Sequence, residues 1–140
     1  MSKNNNLSGG LFAAKPTPLT IKETSLSNQI AEYLNARFVY NDRLQCGKMM
    51  TQKGNWIHFC KVGTPDRFAI IRGQMIFIEV KKLGQKPTND QIERQYLIRQ
   101  SGAIVIVADS FVNFVYQFLA VRSEIEQATQ TNKKEKKLYV

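Results

Sequence analysis

The sequence is poor in several residue types that define common kinds of site. Among its 140 residues it has two cysteines, one histidine and one tryptophan. Cys46 and Cys60 lack C-x-x-C spacing, so a disulfide framework is not expected and both are interpreted as reduced thiols that pack rather than react. Because His58 is alone, a multi-histidine zinc site and a relay through two imidazoles are excluded.

Long apolar runs and acidic residues are also scarce. No run approaches the roughly 20 apolar residues that a membrane-spanning helix needs, and the polar start MSKNNNLSGG is not typical of a signal peptide. We therefore expect a cytoplasmic protein without a membrane partner. Only 11 acids face 20 lysines and arginines, and the formal net charge of +9 favours a polyanionic partner, nucleic acid first.

The length and apolar content fit a single domain with short tails. With 140 residues, 43% of them hydrophobic, the chain can bury one ordinary core. Residues 1–20 lack periodicity and are expected to form a flexible arm. We place the folded domain at residues 21–128 and a basic tail at residues 129–140.

The first half of the domain predicts a helix followed by short strands. The helix is expected to start at a cap between Thr24 and Ser27 and to carry Phe38 on its apolar face. A polar, basic loop or irregular hairpin follows at residues 41–55. Strands are predicted over residues 56–62, 68–71 and 75–82, the last two joined by Arg72-Gly73-Gln74 as an antiparallel hairpin.

The second half predicts a helix, a buried strand and another helix. Thr88 to Gln91 has the form of a capping box, which opens a helix that ends before Gly102. The strand at residues 103–107 should run parallel to the strand at residues 75–82. The last helix has phenylalanines at helical spacing, which suit a core or a dimer interface: Phe111, Phe114 and Phe118. The fold class is α/β, with helices packed on a small mixed sheet.

Two carboxylates stand alone in a basic stretch. Residues 43–82 contain eight lysines and arginines but only two acids, Asp66 and Glu79. Because side chains alternate along a strand, Glu79 and Lys81 should share one face. The hairpin would bring Asp66 beside Glu79 if Asp66 lies at the end of the neighbouring strand. A competing interpretation is a pair of surface acids that form salt bridges with their neighbours.

This arrangement suits a hard divalent cation. The carboxylates of Asp66 and Glu79, with a backbone carbonyl such as that of Val80, form an all-oxygen shell suited to Mg²⁺ or Mn²⁺. Lys81 would orient an attacking water or balance developing charge. Nearby lysines are candidates for contacts with DNA phosphates, and those assigned here are Lys48, Lys53, Lys61, Lys82 and Lys86.

Four short motifs together resemble the VRR-NUC nuclease domain. They are Gly63-Thr-Pro-Asp66, the Gly73 turn, Ile78-Glu-Val-Lys81 and Lys86-x-Thr88-x-x-Gln91. That family belongs to the PD-(D/E)XK, or restriction-endonuclease-like, superfamily, and the resemblance covers about residues 24–120.

The resemblance implies a PD-(D/E)XK core that hydrolyses DNA phosphodiesters with a metal ion. It puts Asp66, Glu79 and Lys81 in the motif positions and Gln91 in the place of the family's helix glutamine.

The first helix departs from the family pattern. The family has an acid there, whereas this chain has Ser25, with Glu23 and Glu32 as the nearest acids.

The expected function is that of an Mg²⁺- or Mn²⁺-dependent DNA endonuclease. Few residues are left over to read base sequence, so selectivity for branched DNA such as a four-way (Holliday) junction is expected. A homodimer would supply two sites for such a junction. The alternatives are a non-catalytic DNA-binding module of the same fold and a nuclease that acts on flaps or RNA.

Overall fold

A computed structural model describes residues 22–138, with side chains described up to residue 134. The expected flexible arm at residues 1–20 lies outside the described residues. Nine elements follow one another along the described chain: α1 Glu23–Asn35, β1 Tyr40–Arg43, β2 Lys48–Met50, β3 Trp56–His58, β4 Arg67–Ile71, β5 Gln74–Val80, α2 Asn89–Gln100, β6 Ile104–Ala108 and α3 Phe111–Leu138.

The described residues form two separate sheets. The main sheet has the strand order β1-β4-β5-β6, and the second sheet contains only β2 and β3. In the main sheet the β1–β4 and β4–β5 pairs are antiparallel, while β5 and β6 run parallel. The predicted mixed sheet flanked by helices is confirmed at this level. We call the antiparallel β2–β3 pair with its turn, residues 48–58, the ribbon.

The β4–β5 hairpin forms as expected. Arg72 and Gly73 both have positive φ, 48° and 81°, which is the backbone signature of the tight turn that matches strand twist. Alternation in β5 then separates its side chains, because Ile76, Ile78 and Val80 enter the core on one face.

Helices α1 and α3 cover that apolar face. Leu26, Ile30 and Leu34 recur at four-residue spacing on α1 and are buried. They join Phe114 and Phe118 of α3 in the same core cluster. Phe114 and Phe118 therefore pack inside their own chain, so the core is the correct one of the two predicted alternatives for these residues.

The two ends of α1 each correct a prediction. The helix begins at Glu23 after Lys22, without a side-chain cap from the residues between Thr24 and Ser27. Phe38 was expected on the apolar face, but it has φ 55° and its side chain is 99% exposed. The helix ends at Asn35, and the left-handed backbone at residue 38 turns the ring outward, so that Val39 contacts the core instead.

Helix α3 extends past the predicted domain boundary at residue 128. It begins after Ser110, whose Oγ accepts the N–H of Asn113 at 3.2 Å and so caps the helix. It continues without a break through residue 138. Residue 128, the predicted end of the domain, therefore lies inside this helix. Ile125, about one turn before it, still packs on the core.

Residues 41–62 differ from their predicted structure. The first part forms β1, an edge strand of the main sheet, where a loop or irregular hairpin was expected. The strand predicted at residues 56–62 is only three residues long, Trp56–His58, and pairs with β2 rather than with the main sheet. Sequence alternation gave no sign of β1, because its residues are polar apart from Tyr40.

Candidate active site

Glu79 is the centre of the polar cluster on the second face of β5. Its side chain is only 2% exposed, although its neighbours in the strand are apolar. Oε1 lies 3.1 Å from the ammonium of Lys81 and accepts a hydrogen bond from Nε2 of Gln91 at 2.5 Å. Oε2 is buried and has no hydrogen-bond partner among the described residues. The prediction that Glu79 and Lys81 share a face is confirmed.

The environment of Glu79 favours its protonated form. Burial raises the pKa of this carboxyl from 4.5 to about 7, and the negative charge of Asp66 adds to the rise. The hydrogen bond and the positive charge of Lys81 oppose it, and Glu23 contributes a further small rise. A buried carboxyl whose pKa is shifted this far is typical of functional sites, although structural networks also produce such shifts.

Asp66 joins the cluster through the backbone of β5. It directly precedes β4, and its Oδ2 accepts the N–H of Val80 at 2.8 Å. The hairpin therefore brings Asp66 against the strand that carries Glu79, as predicted. The Asp66 charge raises the Glu79 pKa, so the two carboxylates interact electrostatically without a direct hydrogen bond.

Gln91 reaches Glu79 because of how α2 begins. The Thr88 hydroxyl accepts the N–H of Gln91 at 3.4 Å, and Oε1 of Gln91 accepts the N–H of Thr88 at 2.9 Å. This capping box confirms the predicted helix start. The amide of Gln91 thus caps the helix with its oxygen and contacts Glu79 with its nitrogen.

The loop before Asp66 packs closely on the start of α2. Gly63 has φ 80°, and a Cβ placed there would lie 2.3 Å from the carbonyl oxygen of Asp90. Arg94, one turn further along α2, donates from Nε to the carbonyl of Val62 at 3.3 Å. Glycine at position 63 is therefore required both by backbone conformation and by close approach.

Another amide on α2 is buried without a partner. Gln95, one turn after Gln91, is buried, and its Nε2 has no partner among the described residues. This orphan donor and Oε2 of Glu79 are two of the three buried side-chain atoms in the described part of the chain that lack a partner.

Glu23 is the first-helix acid that approaches the cluster. Its Oε1 accepts the N–H of Lys82 at 3.2 Å, and its charge contributes to the raised pKa of Glu79. Ser25 and Glu32 are both exposed, and none of the described side-chain hydrogen bonds connects them to the cluster. The sequence left Glu23, Ser25 and Glu32 as candidates for this position, because Ser25 stands where the family that the sequence resembles has an acid.

A groove of about 370 Å³ opens beside Asp66 and Gln91. Part of the ribbon and the segments on either side of it line this groove, namely Cys46, Lys48, His58, Cys60, Lys61 and Thr64. His58 is exposed on the ribbon. The groove therefore brings Lys48 of the ribbon and Lys61 close to Asp66, directly before the start of β4.

The assigned lysines separate into three places. Lys48 and Lys61 line the groove, whereas Lys53 lies in the turn of the ribbon. Lys82 and Lys86 are exposed in the segment between β5 and α2. Only the first pair shares a groove with Asp66.

Cys46 is not an activated thiolate. Both Cys46 and Cys60 are free thiols. Desolvation, a hydrogen bond with the Cys60 thiol and the nearby Asp66 and Glu79 charges raise the pKa of Cys46 to about 12. A thiol with this pKa is protonated at neutral pH, and only the thiolate is a strong nucleophile.

Within the described chain, no three side chains of His, Cys, Asp or Glu converge as a metal-binding group. The predicted shell contains two carboxylates and a backbone carbonyl, so this finding does not test it. None of the described helices has the length and apolar character needed to cross a membrane. No protein-family model and no curated protein matches this chain.

Proposed function

We propose that this protein is an Mg²⁺- or Mn²⁺-dependent DNA endonuclease with a PD-(D/E)XK core of VRR-NUC type. The observation that carries the proposal is the buried Glu79 carboxylate, which has one oxygen paired and the other without a partner. Burying a carboxylate oxygen without a hydrogen bond is costly, so a buried orphan oxygen needs a further partner or a proton. A hard cation is such a partner, since carboxylate oxygen is its preferred ligand.

The surrounding residues fit this cation. Asp66 and Glu79 would hold it, with the carbonyl of Val80 as the third oxygen donor that the sequence indicates. The bound ion would supply polarisation of the scissile phosphate and a lower pKa for an attacking water. Glu79 is buried and contacts both Lys81 and Gln91, so its orientation is set before substrate binds.

Lys81 and Gln91 have supporting roles in this proposal. The Lys81 ammonium places a fixed positive charge at the cluster, where it can balance the negative charge that develops on a phosphate during hydrolysis. Gln91 fixes the orientation of Glu79 through Oε1 and is itself held by the capping box. Glu23 is the acid that takes the first-helix place, because its carboxylate meets the backbone directly after Lys81.

The substrate is DNA in this proposal because of the charge beside the cluster. Residues 43–65 contain Arg43, Lys48, Lys53 and Lys61 and no acid. The lysines in the groove would neutralise phosphates on either side of the scissile bond. We further propose that branched DNA such as a four-way junction is cut in preference to a linear duplex, by a homodimer with two sites.

A cleavage assay with matched variants tests the proposal. Labelled four-way junction, flap, linear duplex and RNA are incubated with Mg²⁺, Mn²⁺ or EDTA. We expect cutting with either metal and none in EDTA. Glu79→Gln and Asp66→Asn should abolish cutting, whereas Glu124→Gln, which changes an exposed acid of α3, should not.

A calorimetric titration with Mn²⁺ gives a readout other than activity. Wild type should bind the ion, and Glu79→Gln should bind it at least about tenfold more weakly. DNA binding without cutting in either metal would favour the non-catalytic module. Cutting by Glu79→Gln that still depends on Mg²⁺ would overturn the assignment of the site.

A further inference from the structure

The ribbon presents two chemically different faces. Residues directly opposite each other in an antiparallel pair lie on the same face. The register pairs Lys48 with His58 and Met50 with Trp56, so these four residues form one face. Met49 and Ile57 form the other. We call the face of Lys48, Met50, Trp56 and His58 the aromatic face.

The aromatic face is exposed, and two of its four residues line the groove. Trp56 is 54% exposed, and the ammonium of Lys48 lies 4.8 Å from the centre of its ring. Lys48 and His58 of the same face line the groove that reaches Asp66 and Gln91. Lys48 thus contacts the exposed tryptophan and also lines the groove beside the candidate active site.

We propose that the aromatic face of the ribbon is a stacking platform for an unpaired DNA base, next to the scissile phosphate of the site formed by Asp66 and Glu79. This inference rests on the proposed function and adds the kind of nucleotide that it recognises. Bases in a continuous duplex are stacked on both faces, so only an unpaired base offers a ring face to Trp56.

Charge identifies nucleic acid as the occupant of this face. The ribbon and its flanks carry cations and no acid from residue 43 to residue 65. A lysine beside an aromatic ring is suited to a nucleotide, because the ring stacks on the base while the ammonium meets the phosphate. The face offers few donors and acceptors for base edges, so stacking would not depend on base identity.

The single tryptophan of the sequence makes the platform directly observable. All tryptophan emission of the chain comes from Trp56. In EDTA, without cleavage, the full chain is titrated with two DNAs of equal length, one a continuous duplex and one with a short single-stranded gap. We expect the gapped DNA to quench the emission and the continuous duplex to leave it nearly unchanged.

Binding of labelled DNA to ribbon variants then measures the contribution of stacking. Trp56→Ala should weaken binding of gapped DNA by about 5- to 150-fold, the range that corresponds to ~1–3 kcal/mol per stacked base, and should change duplex binding by less than about twofold. Trp56→Phe should keep most of the affinity for gapped DNA. Met49→Ala, on the opposite face, is the matched control and should bind like wild type.

Two results would overturn the inference. One is an equal loss of affinity for both DNAs in Trp56→Ala, which would mean that only phosphates are contacted. The other is emission that gapped DNA does not change. Cutting in Mg²⁺ with unchanged Trp56 emission refutes the platform alone. Quenching without cutting refutes the proposed nuclease and leaves the platform supported.

Discussion

The main sheet and the ribbon are both centred on an antiparallel hairpin, yet they place their side chains in opposite surroundings. In β4, buried residues alternate with half-buried ones, and the inner part of β5 is almost wholly buried. All three residues of β2 and all three of β3 are exposed. The carboxylates are therefore fixed by a packed scaffold, while the cations next to them lie on a surface that contributes little to the core.

This difference suggests a division of work between the two regions. A buried site has its geometry and pKa values set by packing, which the main sheet provides. A surface that meets a large polyanion gains from exposed cations and from local freedom, which the ribbon provides. If the comparison is correct, changes in the main sheet should cost stability, and changes in the ribbon should cost only binding.

The largest expected contrast is between Phe118, a core residue of the helix α3 that covers the main sheet, and Met49 of the ribbon. Phe118 is fully buried in the core, whereas Met49 is 52% exposed on the ribbon. Phe118→Ala should lower the free energy of unfolding by about 3–5 kcal/mol. Met49→Ala should change it by less than about 0.5 kcal/mol. Urea unfolding followed by circular dichroism measures both, and equal losses would break the comparison.

Glu79 should make stability depend on pH. Its pKa is about 7 in the folded protein against 4.5 ordinarily, so the folded state binds this proton more tightly. The stabilisation is fully present below pH 4.5 and is lost as the pH rises to about 7, up to ~3 kcal/mol. The prediction applies to metal-free protein, measured by urea unfolding at several pH values.

The control is Glu79→Gln, which cannot ionise. The difference in unfolding free energy between wild type and this variant should change between pH 4.5 and 7 and should be constant outside that range. A constant difference across the whole range would show that the Glu79 pKa is not raised.

A comparison of two glycines distinguishes the cost of close packing from the cost of backbone strain in alanine variants. Gly63 and Gly54 have nearly the same φ, 80° and 79°, but only Gly63 has atoms within reach of an added Cβ. Each alanine variant should lose ~1–2 kcal/mol from the left-handed backbone. Gly63→Ala should lose more, because Asp90 must also move, and cleavage should fall with it. Thermal unfolding of both variants measures the difference, and equal losses would contradict the close contact.

The smallest expected effect concerns Ser27. Its Oγ accepts a hydrogen bond at 3.2 Å from the guanidinium of Arg67, which is buried in β4. Ser27→Ala should cost ~1–2 kcal/mol, because one donor of a buried charged group loses its partner. Ser123→Ala, which removes an exposed acceptor on α3, should cost less than about 0.5 kcal/mol. Similar urea midpoints for the two variants would contradict this role of Ser27.

Much of the fold could be predicted because its signals are local. The capping box at Thr88, the strand that starts near residue 104 and the turn at Gly73 each depend on a few neighbouring residues. β1 could not be predicted, because four mostly polar residues form a strand only by pairing with β4. Phe38 was also predicted wrongly. Its apolar side chain continues the helical spacing of α1, but the helix ends three residues earlier, at Asn35.

The sequence predicts which site residues lie side by side on one strand, but it does not predict the contacts between residues of different elements. Alternation along β5 predicts that Glu79 and Lys81 share a face, and the structure confirms it. No pattern in the sequence indicates that Glu23 would reach Lys82 or that Gly63 must meet Asp90. Those contacts join residues far apart in sequence.

The sequence by itself determined which side chains face together along each element, because helix and strand periods are properties of the local backbone. It thus determined the apolar face of β5, the polar pair on the opposite face and the capped start of α2. Three features of the protein come from its tertiary packing instead. Asp66 accepts the N–H of Val80, and Glu79 is buried enough to have a pKa of about 7. The ribbon forms a sheet that is separate from the main sheet. The reason is that burial and distances between elements depend on the register and packing of the whole chain, and charge interactions follow from both.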